Sequence, residues 1–343
     1  MSRNCQKIKK ALLTAVISVI ALVILVFVAA RLYFRIPVIG YYRASEKAFI
    51  IPGLSDNMIP QGIDYIESEG LYLVGGYQKD NTPSRIYLIE KESGKAKGYM
   101  LLGDKNGNGM AVHAGGLAVN GRYLYVGGNE EPIVYVFDLS EVLSAGSGET
   151  VKTLGTFDTK YGDYDIRADF MCFADGKFYV GEYYRDPNFP TPDSHKVTGP
   201  SGETNRALMF SYEVSSSDTS LFGLETVASE VYSLPDKVQG IAIKDNKMWI
   251  STSYGTAKST IACYDVFGKN AGVFDPNTGT AELYILDKST QVSEFKAPPM
   301  AEEIIFVDGK MLIMCESASN KYIFGKFTGG RWCYATDVNK LEK

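Results

Sequence analysis

Residues 61–77, with the sequence QGIDYIESEGLYLVGGY, decide the fold of this chain. Apolar and polar residues alternate in the first half, and the second half is a short apolar run that ends in small residues. The pair Glu69-Gly70 between them belongs to the residue types that reach positive φ at low cost and close tight turns. The segment therefore predicts two antiparallel strands joined as a hairpin.

The same unit occurs four more times along the chain. The further copies begin at Gly115, Asp169, Gln239 and Glu302, and their turns are Asn120-Gly121, Asp175-Gly176, Asp245-Asn246 and Asp308-Gly309. Past residue 45 there is almost no helical periodicity. Five hairpins in phase predict a fold built from a repeated supersecondary unit.

A third strand can be placed after every hairpin, and a fourth, outermost strand after four of the five. Third strands are predicted at 85–90, 133–139, 207–214, 260–266 and 321–327, and fourth strands near Tyr99, Leu154, Val231 and Leu283. No fourth strand follows the last hairpin, whereas residues 48–51, with the sequence AFII, precede the first one unpaired. We expect this N-terminal strand to complete the last sheet and close a five-bladed β-propeller. The units are longer than the about 40 to 45 residues of a minimal blade, so six blades are the alternative.

A charge-free apolar run precedes the β domain. It extends from Ala11 to Ala30, and as a helix it would cover about 30 Å, the hydrocarbon thickness of a bilayer. The charges before it are all basic, which predicts a cytoplasmic N-terminus. A secretory signal cleaved near Ala29-Ala30 is the alternative, but the apolar stretch of such signals has only about 7 to 15 residues. We therefore expect a cytoplasmic tail at 1–10, a transmembrane helix at 11–30, a juxtamembrane linker at 31–45 and an extracytoplasmic propeller at 46–343 of a cell-membrane protein.

Charge and cysteine content exclude several classes of protein. The chain has 35 basic and 40 acidic residues, and the six charges up to Arg35 are all basic, so the remainder carries 29 basic and 40 acidic residues, a net charge of −11. This balance argues against nucleic acid as a partner. The five cysteines show no spacing typical of a metal site. Cys315 and Cys333 belong to the same predicted sheet, where they form either a disulfide or two buried free thiols.

The inner-strand motifs resemble a known group of propellers. Pro60-Gln61-Gly62-Ile63 and Val238-Gln239-Gly240-Ile241, with the strand pairs that follow, are similar to the inner strands of the SMP-30, strictosidine-synthase-like and NHL propellers, and more distantly to plant-type glutamine cyclotransferases. The resemblance covers roughly residues 46–335 and implies the fold more than an activity. Members of these families use carboxylates and amides at the channel mouth, often around calcium. The residues at the corresponding position of the five repeats are Gln61, Gly115, Asp169, Gln239 and Glu302. This set lacks the repeated acidic residues of a calcium-dependent lactonase.

One face of the predicted propeller collects the chemically active residues. Loops entering the inner strands and loops leaving the second strands share this face, and the carboxylates and the histidine among them are candidates for acid–base catalysis. The candidate catalytic residues are His113, Asp169, Glu302 and Glu303. The candidate ligand-binding residues are Gln61, Tyr77, Asn129, Tyr183, Gln239, Tyr254 and Glu316. The alternatives to catalysis are that His113 makes only a structural hydrogen bond and that the acidic residues are exposed charges in loops.

A calcium site is the only cofactor that the sequence suggests. Asp104, Asn106 and Asn108 supply oxygen ligands at positions 1, 3 and 5 of a loop with glycine at position 6, but Gly115 occupies position 12, where a bidentate Glu is needed. Ordinary Asn-Gly turns are the alternative. Residues 184–206, rich in Pro, Gly, Asp and Ser, are either a lid over the channel or a disordered surface loop.

These features support two hypotheses for function. The first is a membrane-anchored module that binds a small molecule or a protein on the polar, Tyr-rich face, because the sequence contains no complete catalytic motif. The second is an extracytoplasmic enzyme, of hydrolase or cyclotransferase type, in which His113 with Glu302 or Glu303 transfers protons. A cavity covered by the 184–206 segment would favour the enzyme, and a flat face over a plugged channel would favour the binding module.

Overall fold

A computed structural model describes residues 3–128, 131–275 and 280–341. The first element in these ranges is the helix Arg3–Arg35. Within these ranges it is the one helix long and apolar enough to cross a membrane. Most of its apolar side chains are exposed, and Phe34 near its end is buried. A 3-10 turn, Ile36–Val38, and a short helix, Ile39–Ala44, connect it to the first strand.

The rest of the chain forms a five-bladed β-propeller, as predicted. The innermost strands of blades 1 to 5 are Met58–Ile66, Leu117–Asn120, Phe170–Ala174, Val238–Lys244 and Ala301–Val307. The second strands are Leu71–Gln78, Tyr123–Gly127, Lys177–Gly181, Lys247–Thr252 and Lys310–Cys315. The third strands are Arg85–Glu90, Ile133–Asp138, Ala207–Glu213, Ser259–Tyr264 and Trp332–Thr336. The fourth strands are Ala96–Gly103, Gly155–Asp158, Glu230–Leu234, Gln291–Ala297 and Ser45–Ile50.

Additional elements extend the edges and loops of the blades. Thr150–Lys152 lies parallel to the outer strand of blade 1, and Ala281–Ile285 followed by Gly272–Phe274 extends blade 3. The remaining short elements are the helix Leu139–Ser144, the 3-10 turns Glu67–Glu69, Asp193–His195, Gly325–Phe327 and Val338–Lys340, and the strand pairs Lys160–Tyr161 with Tyr164–Asp165 and Val197–Thr198 with Thr204–Asn205.

The ring closes between the two ends of the β domain. The strand Ser45–Ile50 runs antiparallel to Trp332–Thr336, with Ser45 opposite Thr336 and Ile50 opposite Trp332. The first strand therefore completes the last blade, as the sequence predicts. Cys315 and Cys333 of this blade are both buried free thiols, so no disulfide supports the closure.

Two strand predictions are wrong. Residues 321–327 form no strand; they end in the 3-10 turn Gly325–Phe327, and the third strand of blade 5 is Trp332–Thr336. The strand around Leu283 pairs in parallel with the edge of blade 3, and the fourth strand of blade 4 is Gln291–Ala297. Both predictions rested on short apolar runs, and such a run does not indicate which sheet edge it joins.

The hydrophobic core lies between neighbouring blades. Between blades 2 and 3, for example, Tyr125 packs on Phe178 with ring centroids 5.3 Å apart, and Phe157 meets Tyr212 edge to face at 4.9 Å. Large buried aromatic side chains of this kind supply much of the apolar area that a propeller buries. Each blade is thus stabilised mainly by its two neighbours in the ring.

Glycines allow the inner strands to approach one another closely. A Cβ atom on Gly62 would lie 2.8 Å from the Leu117 nitrogen, one on Gly116 would lie 2.8 Å from the Phe170 Cα, and one on Gly240 would lie 2.5 Å from the Glu303 Cα. Side chains at these positions would push adjacent blades apart. The Gln-Gly-Ile motif of blades 1 and 4 therefore has its glycine for a packing reason.

Glu303 connects blade 5 to three other blades. Its Oε2 accepts hydrogen bonds from the backbone N–H of Ile63, at 2.7 Å, and of Leu117, at 3.0 Å, and its Oε1 accepts one from Met171 at 3.2 Å. These donors belong to the inner strands of blades 1, 2 and 3, so the fully buried carboxyl group lies near the propeller axis. Burial raises the pKa of Glu303, and the three backbone hydrogen bonds oppose this rise.

Replacing Glu303 with Gln is expected to destabilise the propeller. The Gln amide offers one acceptor oxygen where three N–H groups need partners, and its NH2 group would face a backbone donor. Each unsatisfied buried group costs about 1 to 3 kcal/mol, so the melting temperature of the full chain in detergent micelles should fall. Glu302→Gln is the matched control, because Glu302 Oε1 is a buried atom without a hydrogen-bond partner among the described residues. An equal loss in both variants would contradict the role of Glu303.

Candidate functional site

Irregularities at the start of three inner strands bring polar side chains to the channel mouth. The strand registers shift between Pro60 and Gly62, between Val238 and Gly240, and between Ala301 and Ile304. Such bulges insert extra residues into one strand and redirect their side chains. The inserted residues are Gln61, Gln239, Glu302 and Glu303, all predicted site residues.

The channel mouth is a cavity of about 300 Å³. Residues from all five blades and their loops form its wall. They are Gln61, Tyr77, His113, Asp169, Tyr183, Phe189, Gln239, Ser253, Tyr254, Gly255, Met300, Glu316, Lys321 and Tyr322. The face is therefore concave and combines polar side chains with aromatic rings contributed by several blades.

The structure brings together most of the predicted site residues. Gln61, Tyr77, His113, Asp169, Tyr183, Gln239, Tyr254 and Glu316 line this cavity. Glu302 lies next to it, because Glu316 and Lys321 of the wall are close enough to shift the pKa of Glu302. Glu303 is held by the three backbone amides near the axis and is not part of the wall. Asn129 lies outside the described residues.

Sequence reasoning missed several residues of the cavity wall. Lys321 and Tyr322 were placed in a third strand of blade 5, although they belong to the loop between the second and third strands. Met300 has a φ of 60°, and its carbonyl accepts the Glu316 N–H at 3.0 Å. Positive φ at a methionine has no signal in a single sequence. Phe189 lies in the 184–206 segment, which was identified only as a whole.

A chain of hydrogen bonds connects His113 to Tyr322 across the cavity. His113 Nε2 lies 2.9 Å from Gln61 Oε1, and the Gln61 amide nitrogen donates to Glu316 Oε2 at 3.1 Å. The Tyr322 hydroxyl donates to Glu316 Oε1 at 2.5 Å. Since the Gln61 oxygen can only accept, His113 Nε2 carries the proton. The histidine ring also stacks on Tyr77, with centroids 4.5 Å apart.

His113 is uncharged in this arrangement. Burial, followed by the nearby Lys321 ammonium group, lowers the pKa of His113 to about 4. The ring is therefore neutral across the physiological range, and its Nε2 is occupied as a donor. For Nε2 to abstract a proton, its own proton would first have to move to Nδ1 and the hydrogen bond to Gln61 would have to break.

Glu302 and Glu316 form a pair of neighbouring carboxyl groups, of which Glu302 is buried and Glu316 is half-buried. Glu302 is 2 % exposed, and burial, followed by the charge of Glu316, raises its pKa well above the ordinary value. Burial also raises the pKa of Glu316, while Tyr322 and Lys321 oppose the rise. Glu302 Oε1 has no hydrogen-bond partner in the part of the chain that the structure describes. Both carboxyl groups thus have a pKa above the ordinary value, and Glu302 has unused hydrogen-bonding capacity.

Lys321 supplies the positive charge of the cavity. Its ammonium group donates a hydrogen bond to the Tyr77 hydroxyl and lies 5.1 Å from the centre of that ring. Tyr322 is a second aromatic neighbour at 5.3 Å. The cavity therefore combines a cation, two carboxyl groups with raised pKa and several hydroxyl groups, all of them hydrogen-bond donors or acceptors for a ligand.

Asp169 occupies the blade 3 side of the cavity. Its Oδ2 accepts the Tyr183 backbone N–H at 2.6 Å and lies 3.6 Å from Arg167 Nε. Burial raises the pKa of Asp169 to about 7, although Arg167 opposes the rise. The carboxyl group is therefore close to half-ionised at neutral pH, where a ligand charge would shift its state.

The segment 184–206 is folded against blade 3 and borders the cavity. His195 Nδ1 lies 2.7 Å from Glu182 Oε1, and both side chains are buried. Phe189 contributes to the cavity wall, and the Arg185 guanidinium lies 3.5 Å above the Tyr254 ring centre of blade 4. The segment thus covers part of the channel mouth, as one of the two sequence interpretations expected.

The predicted calcium ligands lie in a separate, exposed loop. Asp104 Oδ1 accepts the backbone N–H groups of Asn106 and Asn108, both at 2.8 Å, and Oδ2 accepts the Asn108 amide at 2.9 Å. The hydrogen bonds from Asn108 lower the pKa of Asp104. Within the described ranges, no three His, Cys, Asp or Glu residues are grouped as metal ligands. Calcium at this loop stays a prediction.

Comparisons with known proteins find similar solved structures only at low sequence identity. No protein-family model and no curated protein sequence matches the chain. Similar solved structures include a glutaminyl cyclase from Myxococcus xanthus, with 13% identity and a TM-score of 0.43, covering 85% of this chain and 94% of that one. Another is a PQQ-bound aldose sugar dehydrogenase from Streptomyces coelicolor, with 14% identity and a TM-score of 0.39, covering 79% and 76%. A third is a hydrazine synthase from Kuenenia stuttgartiensis, with 12% identity and a TM-score of 0.40, covering 78% and 95%.

The chain is a five-bladed β-propeller with an apolar N-terminal helix, and its own strand pairing establishes this. The expected resemblance to propeller families therefore holds at the level of the fold. At these identities and TM-scores, the similar structures carry no inference about the ligand or chemistry of this cavity.

The pKa of Asp169 predicts a pH dependence of stability. An unfolded Asp releases its proton near pH 4, whereas folded Asp169 retains it to about pH 7. Between about pH 4 and 7 the folded state thus binds more protons than the unfolded state. The stability that protonated Asp169 contributes is complete below about pH 4 and is lost as the pH rises through 7. We expect Asp169→Asn to reduce the fall in stability between pH 5 and 7.5 by roughly 2 to 4 kcal/mol. Melting curves at both pH values test this, with exposed Asp245→Asn as the control; an unchanged slope in Asp169→Asn would refute it.

Proposed function

We propose that the chain is a membrane-anchored, extracytoplasmic propeller that binds a small molecule with amine or hydroxyl donors in its axial cavity. The observation that carries the proposal is the carboxyl pair of half-buried Glu316 in the cavity wall and buried Glu302 beside it, with Glu302 Oε1 left without a partner among the described residues. A ligand donor would satisfy this oxygen. Buried polar atoms are normally paired, so an unpaired one next to a cavity favours a ligand there.

The shape of the cavity favours a small molecule over a protein partner. A volume of about 300 Å³ is at the lower end of the range for small-molecule sites. The wall comes from five blades around one axis, so the polar groups converge on a point instead of spreading over a flat surface. Protein-binding surfaces are typically broad, with buried aromatic anchors at their centre.

The charges favour a ligand that carries a donor group together with an acceptor. A ligand ammonium beside Glu316 would favour the ionised carboxylate and so offset the cost of burial. The Lys321 ammonium group, which is close enough to Glu316 to lower its pKa, can bind an acceptor or an anion of the same ligand. Tyr183, Phe189 and Tyr254 provide apolar ring surfaces elsewhere in the wall. Amino acids, amino sugars and small peptides have this combination of groups.

The proposed location follows from the N-terminal segment. Four basic residues precede the charge-free run, and the helix is long and apolar enough to cross a bilayer. The positive-inside rule then places the N-terminus in the cytoplasm and the propeller on the opposite side. Tyr33, which is 73 % exposed at the end of the helix, is a typical interfacial residue.

The second candidate function is an extracytoplasmic enzyme of hydrolase or cyclotransferase type. The observation in its favour is the pair of neighbouring carboxyl groups with raised pKa, an arrangement that suits general acid–base catalysis. In this case Glu302 and Glu316 would exchange protons with the substrate, and His113 would hold Gln61 in place. Recovery of a bound compound unchanged after long incubation would favour the binding module, and its conversion would favour the enzyme.

A ligand screen with matched variants tests the proposal. The full chain in detergent micelles is melted with amino acids, amino sugars and small peptides, and a binding compound should raise the melting temperature. Loss of one charge-assisted hydrogen bond costs about 1.5 to 3 kcal/mol, so Glu316→Gln should weaken the affinity about ten- to hundred-fold. Glu302→Gln should also weaken binding.

Glu69→Gln is the control, since Glu69 is exposed at a hairpin turn on the opposite face of the propeller. It should leave the affinity unchanged. A compound that binds Glu316→Gln and Glu302→Gln as tightly as the parent would show that these carboxyl groups do not form the site. The absence of any shift across the panel would count against the proposed ligand class.

A further inference from the structure

The loop between the second and third strands of blade 5 exposes two large apolar side chains. Ile323 is 80 % exposed and Phe324 is 61 % exposed. The loop beneath them is well anchored, because Gly325 is buried against Ser317 and the Thr328 hydroxyl lies 2.8 Å from the Ser317 hydroxyl. Isolated exposed apolar residues are common on protein surfaces, so exposure alone does not make this loop a binding surface.

The same loop contacts the N-terminal helix. Phe327 meets Phe27 edge to face, with ring centroids 5.3 Å apart. The Tyr42 hydroxyl donates a hydrogen bond to the Thr328 carbonyl just beyond. Phe27 lies three residues before the end of the charge-free run at Ala30, so the loop packs against a part of the helix that would lie within the bilayer.

The path of the chain shows which face of the propeller is near the membrane. The chain passes the blade 5 loop at Phe27 and reaches the other end of the blade at Ser45, which pairs with Thr336. It then runs back towards the cavity face, where Ile50 pairs with Trp332. The cavity face is therefore closer to the apolar helix than the face that carries the hairpin turns.

We propose that Ile323 and Phe324 insert into the outer leaflet of the membrane that the helix crosses, so that the axial cavity opens towards the bilayer surface. Lys326 and Arg331 are exposed beside them, and basic residues flanking apolar ones suit the headgroup region. The net charge of −11 beyond Arg35 disfavours broad contact with anionic lipid, so the contact is confined to this loop.

The contact has a consequence for the cavity. Lys321 and Tyr322, which precede the apolar pair in the same loop, belong to the cavity wall. A ligand therefore enters from the headgroup layer, next to the inserted loop. This inference rests on the proposed anchoring by the helix, but not on the proposed ligand.

Fluorescence quenching in a bilayer tests the insertion. The full chain with Cys5→Ser is reconstituted in phosphatidylcholine nanodiscs, and an environment-sensitive dye is attached at Ile323→Cys or Phe324→Cys. Both positions are exposed, so the substitutions do not disturb packing, and thermal melting checks this. We expect doxyl-labelled lipid to remove most of the fluorescence and aqueous iodide to remove little. Lys247→Cys, at a hairpin turn on the opposite face, is the matched control and should behave in the reverse way.

The outcomes separate this inference from the proposed anchoring. Retention of the chain in vesicles after an alkaline wash, together with quenching by lipid at 323 and 324, supports both. Retention with quenching by iodide, as at Lys247→Cys, overturns the insertion and leaves the anchoring intact. Protection from both quenchers indicates that protein covers the loop, and it also overturns the insertion. Release by the alkaline wash refutes the anchoring itself. The Cys5→Ser parent measures background labelling of the native thiols.

Discussion

The close approach of the inner strands around the axis is the constraint on which the rest of this structure depends. Adjacent blades meet backbone to backbone at Gly62, Gly116 and Gly240, and the Glu303 carboxyl group occupies the space that remains. Because that group accepts amide hydrogen bonds from three blades, it fixes the position of the inner strands relative to one another.

The repeated hairpins carry enough information to predict the ring, but not all of its edges. Turn pairs such as Asn120-Gly121 and the unpaired N-terminal strand sufficed to predict five blades and their closure, because turn chemistry and strand count are local. The strand around Leu283 was assigned to the wrong blade, since its pairing in parallel with blade 3 is a tertiary choice. The apolar run at Ile323 and Phe324 has the composition of a strand, yet it is an exposed loop that meets the N-terminal helix through Phe327.

The site was partly predictable for the same reason. Residues at the start of each inner strand were identified from their repeat position, and eight of the predicted residues line the cavity. The sequence could not distinguish Glu302 from Glu303, because a bulge of two residues sends one side chain towards the cavity wall and the other to the axis. Lys321 and Tyr322 were missed because the loop was read as a strand. The cavity, the Glu302–Glu316 pair and the exposed apolar loop thus meet in blade 5, where local patterns are least informative.

Amide hydrogen exchange tests the axial arrangement most directly. In the full chain in detergent micelles, the N–H groups of Ile63, Leu117 and Met171 should belong to the slowest-exchanging class, opening only when the whole propeller unfolds. Exchange of these three amides as fast as that of an exposed loop residue such as Ser217 would contradict the account, because the hydrogen bonds to Glu303 would then not hold the blades together.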